Sequence, residues 1–150
     1  MSGSYVIEAD GGSRGNPGEA AYGTVVLKDG EPVRELAEAI GVATNNVAEY
    51  RGLLAGLRWI AANTEGDGDD RPNVEARLDS KLVVEQMSGN WRIKHPDMRA
   101  LAMAARDAYP PSLVRYTWVP REANKRADSL VNESLDACAA GRDAVIDRAP

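Results

Sequence analysis

A chain of 150 residues matches one ordinary domain and is long enough to bury most of the surface that its unfolded form exposes. Hydrophobic residues at 43% and charged residues at 27% lie near the averages for globular chains, which excludes wholesale disorder and collagen-like repeats. The net charge of -5 argues against a nucleic-acid partner unless the acids serve a purpose of their own.

Tyr5 to Ala9 alternates apolar and polar residues and predicts a strand that ends at Asp10, before the glycine-rich stretch from Gly11 to Gly18. Ala20 to Leu27 predicts a second strand, Asp29-Gly30 a two-residue hairpin turn, and Pro32 to Ile40 a third strand. From Val47 the pattern Tyr50, Leu53, Leu54, Leu57, Ile60 has helical spacing, with candidate caps at Thr44, Asn45 and Asn46, and runs to about Asn63. A polar loop then leads to a short strand, Val74 to Leu78. Ser80 caps a helix to about Ser88, and Pro96-Asp97 opens another that stops before Pro110. Leu113 to Val119 predicts the fifth strand, and Asn124 to Ala140 a closing helix stopped by Gly141. The order βββαβααβα implies an α/β domain with a mixed five-stranded sheet flanked by helices. The domain is expected over 1–141, with 142–150 as a flexible tail or the start of a linker.

No apolar run approaches the roughly 18 residues of a membrane span, and Met1 to Asp10 has neither a basic segment nor an apolar signal core. A soluble, cytoplasmic protein with no membrane partner is expected. Cys138 is the only cysteine and His95 the only histidine, so any bound metal must be held by oxygen.

Four acids stand at junctions: Asp10 and Asp79 at strand ends, Glu49 in the first turn of the first long helix, Asp128 near the start of the last. If the first and fourth strands are neighbours, these carboxylates can converge. Clustered carboxylates repel, so a retained cluster points to a bound hard cation such as magnesium. Two such ions suit the attacking and leaving oxygens of a phosphodiester. Ordinary roles compete residue by residue: Asp10 as a turn residue, Asn46 to Glu49 as a capping box, Asp79 as a helix start, Asp128 as an acid at a positive helix end. Only the combination favours a metal site.

The stretches Asp10-Gly11-Gly12-Ser13-Arg14-Gly15-Asn16-Pro17-Gly18, Thr44-Asn45-Asn46-Val47-Ala48-Glu49, Asp79-Ser80 and Asn124-Lys125-Arg126-Ala127-Asp128 together resemble ribonuclease H type 1. The likeness runs from about Ser4 to Ala140. It implies an endonuclease that hydrolyses the RNA strand of RNA/DNA hybrids with two magnesium ions, manganese as a substitute, and leaves 5′-phosphate and 3′-hydroxyl ends. It also implies Asp10, Glu49, Asp79 and Asp128 as the catalytic, metal-binding acids. Substrate contacts are expected from Gly11, Gly12, Ser13, Asn16, Asn45, Asn46, Ser80 and Lys81, with Thr44 on a DNA-strand phosphate. Arg14, Lys81, Arg92, Lys94, Arg121, Lys125 and Arg126 form an expected phosphate-tracking set.

Two features depart from the family pattern. The basic protrusion of many relatives is reduced here to Ser88 to Pro96, and the loop histidine linked to product release is absent, leaving Arg121 or Glu122 as substitutes. Trp91 is expected to pack in the core rather than stack on DNA, and His95 to start a helix. The short pattern resembles archaeal-like and actinobacterial forms. A monomer is expected, and some actinobacterial forms fuse this domain to a C-terminal phosphatase-like domain. A hybrid-binding platform without cleavage, or a strand-transfer enzyme of the transposase and integrase group, are the competing functions. The first would follow from loss of an acid, and the second typically lacks the glycine-rich loop.

Overall fold

The computed structural model describes residues 4–150; the first three residues of the expected domain lie outside the described residues. The chain folds as β1 (Tyr5–Arg14), β2 (Gly18–Lys28), β3 (Glu31–Ala43), α1 (Asn45–Asn63), β4 (Val74–Leu78), α2 (Lys81–Met87), α3 (Pro96–Ala108), β5 (Val114–Trp118), α4 (Lys125–Ala139) and β6 (Ile146–Arg148). The sheet order is β5-β4-β1-β2-β3-β6, parallel between β1, β4 and β5 and antiparallel elsewhere.

The sheet therefore has six strands rather than the expected five. The sixth comes from the stretch read as a tail, and its residues explain why. Ile146 packs against the Val25, Leu27, Ala37 and Leu130 cluster. Arg148 pairs with Glu35 at 2.8 Å and with both Glu133 oxygens, while Arg34 holds Asp147 at 2.6 Å. Three residues carry no periodicity that a sequence can display, so these ion pairs and one isoleucine supply the information instead.

Strand parity sorts β1 between two layers. Tyr5, Ile7 and Ala9 join the main core with Tyr50, Leu53, Leu57 and Ile60 of α1, together with residues of α2 and α3. Val6 packs on the opposite side, under α4, and Glu8 and Asp10 share its parity. Ala20 to Leu27 of β2 is buried without interruption, as expected of a central strand covered on both faces. Asp29 and Gly30 both have positive φ, 51° and 86°, which is the backbone that the two-residue hairpin demands.

β1 continues four residues past Asp10, pairing with β2 from Gly11↔Tyr22 to Arg14↔Glu19. The glycines that suggested a loop serve close packing instead. A Cβ on Gly11 would stand 2.2 Å from the Glu49 amide nitrogen, and one on Gly23 would stand 2.3 Å from the Ala127 carbonyl oxygen. Helices α1 and α4 thus press directly on bare backbone, one on each side of the sheet, and each carries an acid to the same end of it.

Candidate active site

Asp10 on β1, Glu49 on α1 and Asp79 just beyond β4 each place a carboxylate oxygen within 4.8 Å of the others. The parallel pairing of β1 with β4 brings the first and third together, as the sequence suggested. Glu49 arrives differently from expectation. The N-cap of α1 is Thr44, whose side chain accepts from the Val47 amide, so Glu49 lies past the first turn and is no part of a capping box. Its Oε1 instead accepts the Gly11 N–H at 3.0 Å, a bond that Asp10 Oδ1 shares at 2.9 Å. Asp128, in the first turn of α4, lines the same open cleft but stands outside the three-carboxylate group.

Asp10 and Glu49 are 6% and 4% exposed. Burial raises the Asp10 carboxyl from 3.8 to about 6, with a further upward push from Asp79 and Asp128 that its bond to Glu49 partly offsets. Burial first, and Asp10 second, hold Glu49 well above the ordinary carboxylate range. Without a cation both carboxyls therefore keep their protons to higher pH than free carboxylates do.

The donor set suits a hard divalent cation. All its atoms are carboxylate oxygens, and Glu49 Oε2 is buried with no hydrogen-bond partner. Among the described residues no lysine or arginine forms an ion pair with any of the four acids, so the protein itself does not neutralise them.

Of the expected substrate contacts, Gly11, Gly12, Ser13, Asn45, Asn46 and Ser80 line the cleft. Asn16, Thr44 and Lys81 do not line it. Asn16 Oδ1 accepts from the Asn45 amide, Thr44 caps α1, and Lys81 is an exposed residue opening α2, which Ser80 caps through the Val83 amide. Asn45 Oδ1 accepts from the Ser13 amide at 2.8 Å and from its hydroxyl at 3.1 Å, which pins the β1–β2 turn to the start of α1. Arg121 and Glu122 lie in a single 3₁₀ turn, and only Arg121 lines the cleft.

All seven members of the basic set are exposed; Arg14 in addition binds Asp136 at 2.6 Å and Arg126 binds Glu8. Trp91 is 44% exposed, contrary to the core position expected of it. His95 caps α3, accepting from the Asp97 amide through Nδ1.

Two residues gained no role from the sequence. Asn124 is fully buried; its Nδ2 donates to the Ala9 carbonyl at 2.9 Å and reaches Asp79 Oδ2 at 3.5 Å, and its Oδ1 has no partner. It stands at the N-cap of α4, where its side chain makes no capping bond. Glu8 is 5% exposed, and nothing in an alternating strand distinguishes it from an ordinary outward-facing acid.

A mixed sheet with three carboxylates gathered at the end of its parallel strands defines the class, and comparison with known proteins gives the family. The pattern of the reverse transcriptase-like family matches residues 8–134. The bifunctional protein Rv2228c of Mycobacterium tuberculosis is 50% identical over 142 residues, covering 89% of this chain and 36% of that protein. Ribonuclease HI of Halobacterium salinarum is 46% identical over 129 residues, covering 85% of this chain and 62% of the relative. The chain thus spans about a third of the mycobacterial relative's length. Among solved structures, the N-terminal RNase H domain of Rv2228c superposes with a TM-score of 0.80 at 47% identity, covering 93% of this chain and 99% of that one. LC11-RNase H1, solved in complex with an RNA/DNA hybrid, gives 0.82 at 35% identity, covering 91% and 99%. The chain belongs to the ribonuclease H family.

Proposed function

We propose that the protein is an endonuclease that hydrolyses the RNA strand of RNA/DNA hybrids with two magnesium ions, leaving 5′-phosphate and 3′-hydroxyl ends. The observation that carries this reading is the convergence of Asp10, Glu49 and Asp79 within 4.8 Å around a buried, unpartnered carboxylate oxygen. Asp10, Glu49, Asp79 and Asp128 would hold the metal, and manganese, which takes the same oxygen ligands, substitutes for magnesium. When bound, the ions supply the positive charge that favours deprotonation of the attacking water and offsets charge on the phosphate and the leaving oxygen.

The chain's own contribution is positional. The Gly11 N–H holds one oxygen of Asp10 and one of Glu49 at fixed spacing. Asn45 commits its Oδ1 to Ser13, which leaves the amide Nδ2 to donate. A donor at that point suits an RNA 2′-oxygen or an acceptor on a minor-groove base edge, with Gly11, Gly12, Ser13 and Asn46 beside it in the cleft. Thr44 on a DNA-strand phosphate, Asn16 and Lys81 at the periphery, and Arg121 or Glu122 in product release complete the reading.

The net charge of -5 fits this function because two divalent cations remove most of it. The cytoplasm is the proposed site of action; among the described residues no helix is long and apolar enough to cross a membrane. A monomeric state and fusion to a C-terminal phosphatase-like domain belong to the same reading, with the domain reaching past 141 because β6 completes the sheet. The fusion draws support from a relative named as bifunctional, of which the match covers 36%. The test is to compare Asp10→Asn, Glu49→Gln and Asp79→Asn with the parent on a labelled hybrid. Each should lose cleavage in magnesium while still retarding the hybrid in a gel, and undiminished cutting by any of them contradicts the assignment.

A further inference from the structure

The Glu8 carboxyl lies on the sheet face that α4 covers, and Arg126 Nε and Nη2 donate to its two oxygens at 3.1 and 2.8 Å. This bidentate bond fixes direction as well as distance. Each partner stands two residues from an acid of the cleft. Glu8 shares strand parity with Asp10, and Arg126 precedes Asp128 in the first turn of α4. Asn124 adds a second tie from the same turn, to the Ala9 carbonyl. The start of α4 is therefore stitched to β1 twice, at Asn124 and Arg126, immediately before Ala127, whose carbonyl presses on bare Gly23. Asp128 is the acid that this turn carries into the cleft.

Glu8 is buried while the Arg126 side chain is half-exposed, and burying a carboxylate beside a single charge is a poor choice for stability alone, because desolvation offsets much of the attraction. What it supplies is geometry. Turning Arg126 away onto a substrate phosphate would leave the Glu8 carboxyl buried without its counter-charge, so Nε and Nη2 are committed to Glu8.

We propose that Glu8 and Arg126 are positioning residues, a matched pair that sets the reach of Asp128 toward the Asp10, Glu49 and Asp79 cluster. The inference rests on the ribonuclease reading above. Outer partners of metal ligands are typically worth about tenfold or more in activity or metal affinity.

The test compares the parent with Glu8→Gln, Arg126→Lys and Arg126→Ala. The measurements are kcat and KM on a hybrid at several salt concentrations, and the manganese concentration that gives half of the metal-induced rise in melting midpoint. Arg126→Ala should lower kcat about tenfold, change KM less than twofold, and raise the manganese midpoint by roughly three- to tenfold. Glu8→Gln, which keeps the shape, should move the same quantities in the same direction, and Arg126→Lys should restore part of the loss. In an Asp128→Asn background, Arg126→Ala should add nothing to the manganese shift, because its effect runs through Asp128.

The proposal is overturned if Arg126→Ala raises KM and lowers the salt slope by about one while Glu8→Gln lowers KM, the signature of a phosphate contact. It is equally overturned if the variants only melt earlier, with kcat and manganese midpoint unchanged. A parent that does not cut the hybrid removes the ribonuclease reading instead, and the manganese midpoints then decide the positioning claim alone.

Discussion

Asp10→Asn should stabilise the metal-free protein while abolishing its activity. The Asp10 carboxyl rises from 3.8 to about 6 on folding, chiefly because it is buried. Between those values the folded protein binds more protons than the unfolded chain, so its stability falls as pH rises through that window and the loss is complete above it. A rise of about two pH units corresponds to roughly 3 kcal/mol, an upper bound because Glu49 shares the proton. Asparagine keeps the shape, keeps an acceptor for the Gly11 N–H, and offers Glu49 a donor in place of a second carboxylate. For a chain of this size, 1–3 kcal/mol is about 3–10 °C in melting midpoint. Melting curves in chelator from pH 4 to 8 should diverge with rising pH, the variant standing higher by that amount at pH 7.5 and joining the parent near pH 4. Magnesium should then raise the parent more than the variant. A variant no more stable than the parent at pH 7.5, or an advantage that persists undiminished at pH 4, refutes the reasoning.

Metal binding should release protons and tighten as pH rises through about 6, because Asp10 and Glu49 must shed the proton they share; calorimetric titrations in buffers of different ionisation enthalpy would measure both. Gly23→Ala should cost about 1–3 kcal/mol and slow cleavage, since the added methyl meets the Ala127 carbonyl and displaces the turn bearing Asp128, with urea melts and hybrid kinetics as the readouts. Arg148→Ala should cost only about 0.5–1 kcal/mol, because the arginine and Glu133 are half-exposed and Glu35 is only partly buried, and should leave the cleavage rate unchanged. A large loss of rate in that variant would mean that β6 communicates with the cleft.

Most of the fold was legible in the sequence because its elements carry strong local signals. The Asp29-Gly30 turn, the caps at Ser80 and His95 and the periodic apolar face of α1 lie where the residues put them. Longer-range features were not. Gly11 and Gly12 read as loop because a glycine's close contact with a helix is invisible until the helix is in place. For Glu49 a capping box competed with metal ligation, because spacing alone cannot separate the one from an acid reaching past the first turn to Gly11. Ile146–Arg148 is too short for a period and is held by ion pairs more than a hundred residues apart in the chain, Arg34 to Asp147 and Arg148 to Glu35. Of the site, the three converging acids were legible from motif order and predicted strand pairing. The pairing of Arg126 with Glu8 was not legible, since Glu8 becomes a neighbour only when α4 closes over β1.

The measurement that tests the central claim most directly is cleavage of an end-labelled RNA/DNA hybrid beside RNA/RNA and DNA/DNA duplexes of the same sequence, each with magnesium, manganese or chelator. The account predicts metal-dependent cutting confined to the RNA strand of the hybrid, with fragments ending in 5′-phosphate and 3′-hydroxyl. A folded protein that cuts none of the three in either metal, or that cuts in chelator, contradicts it.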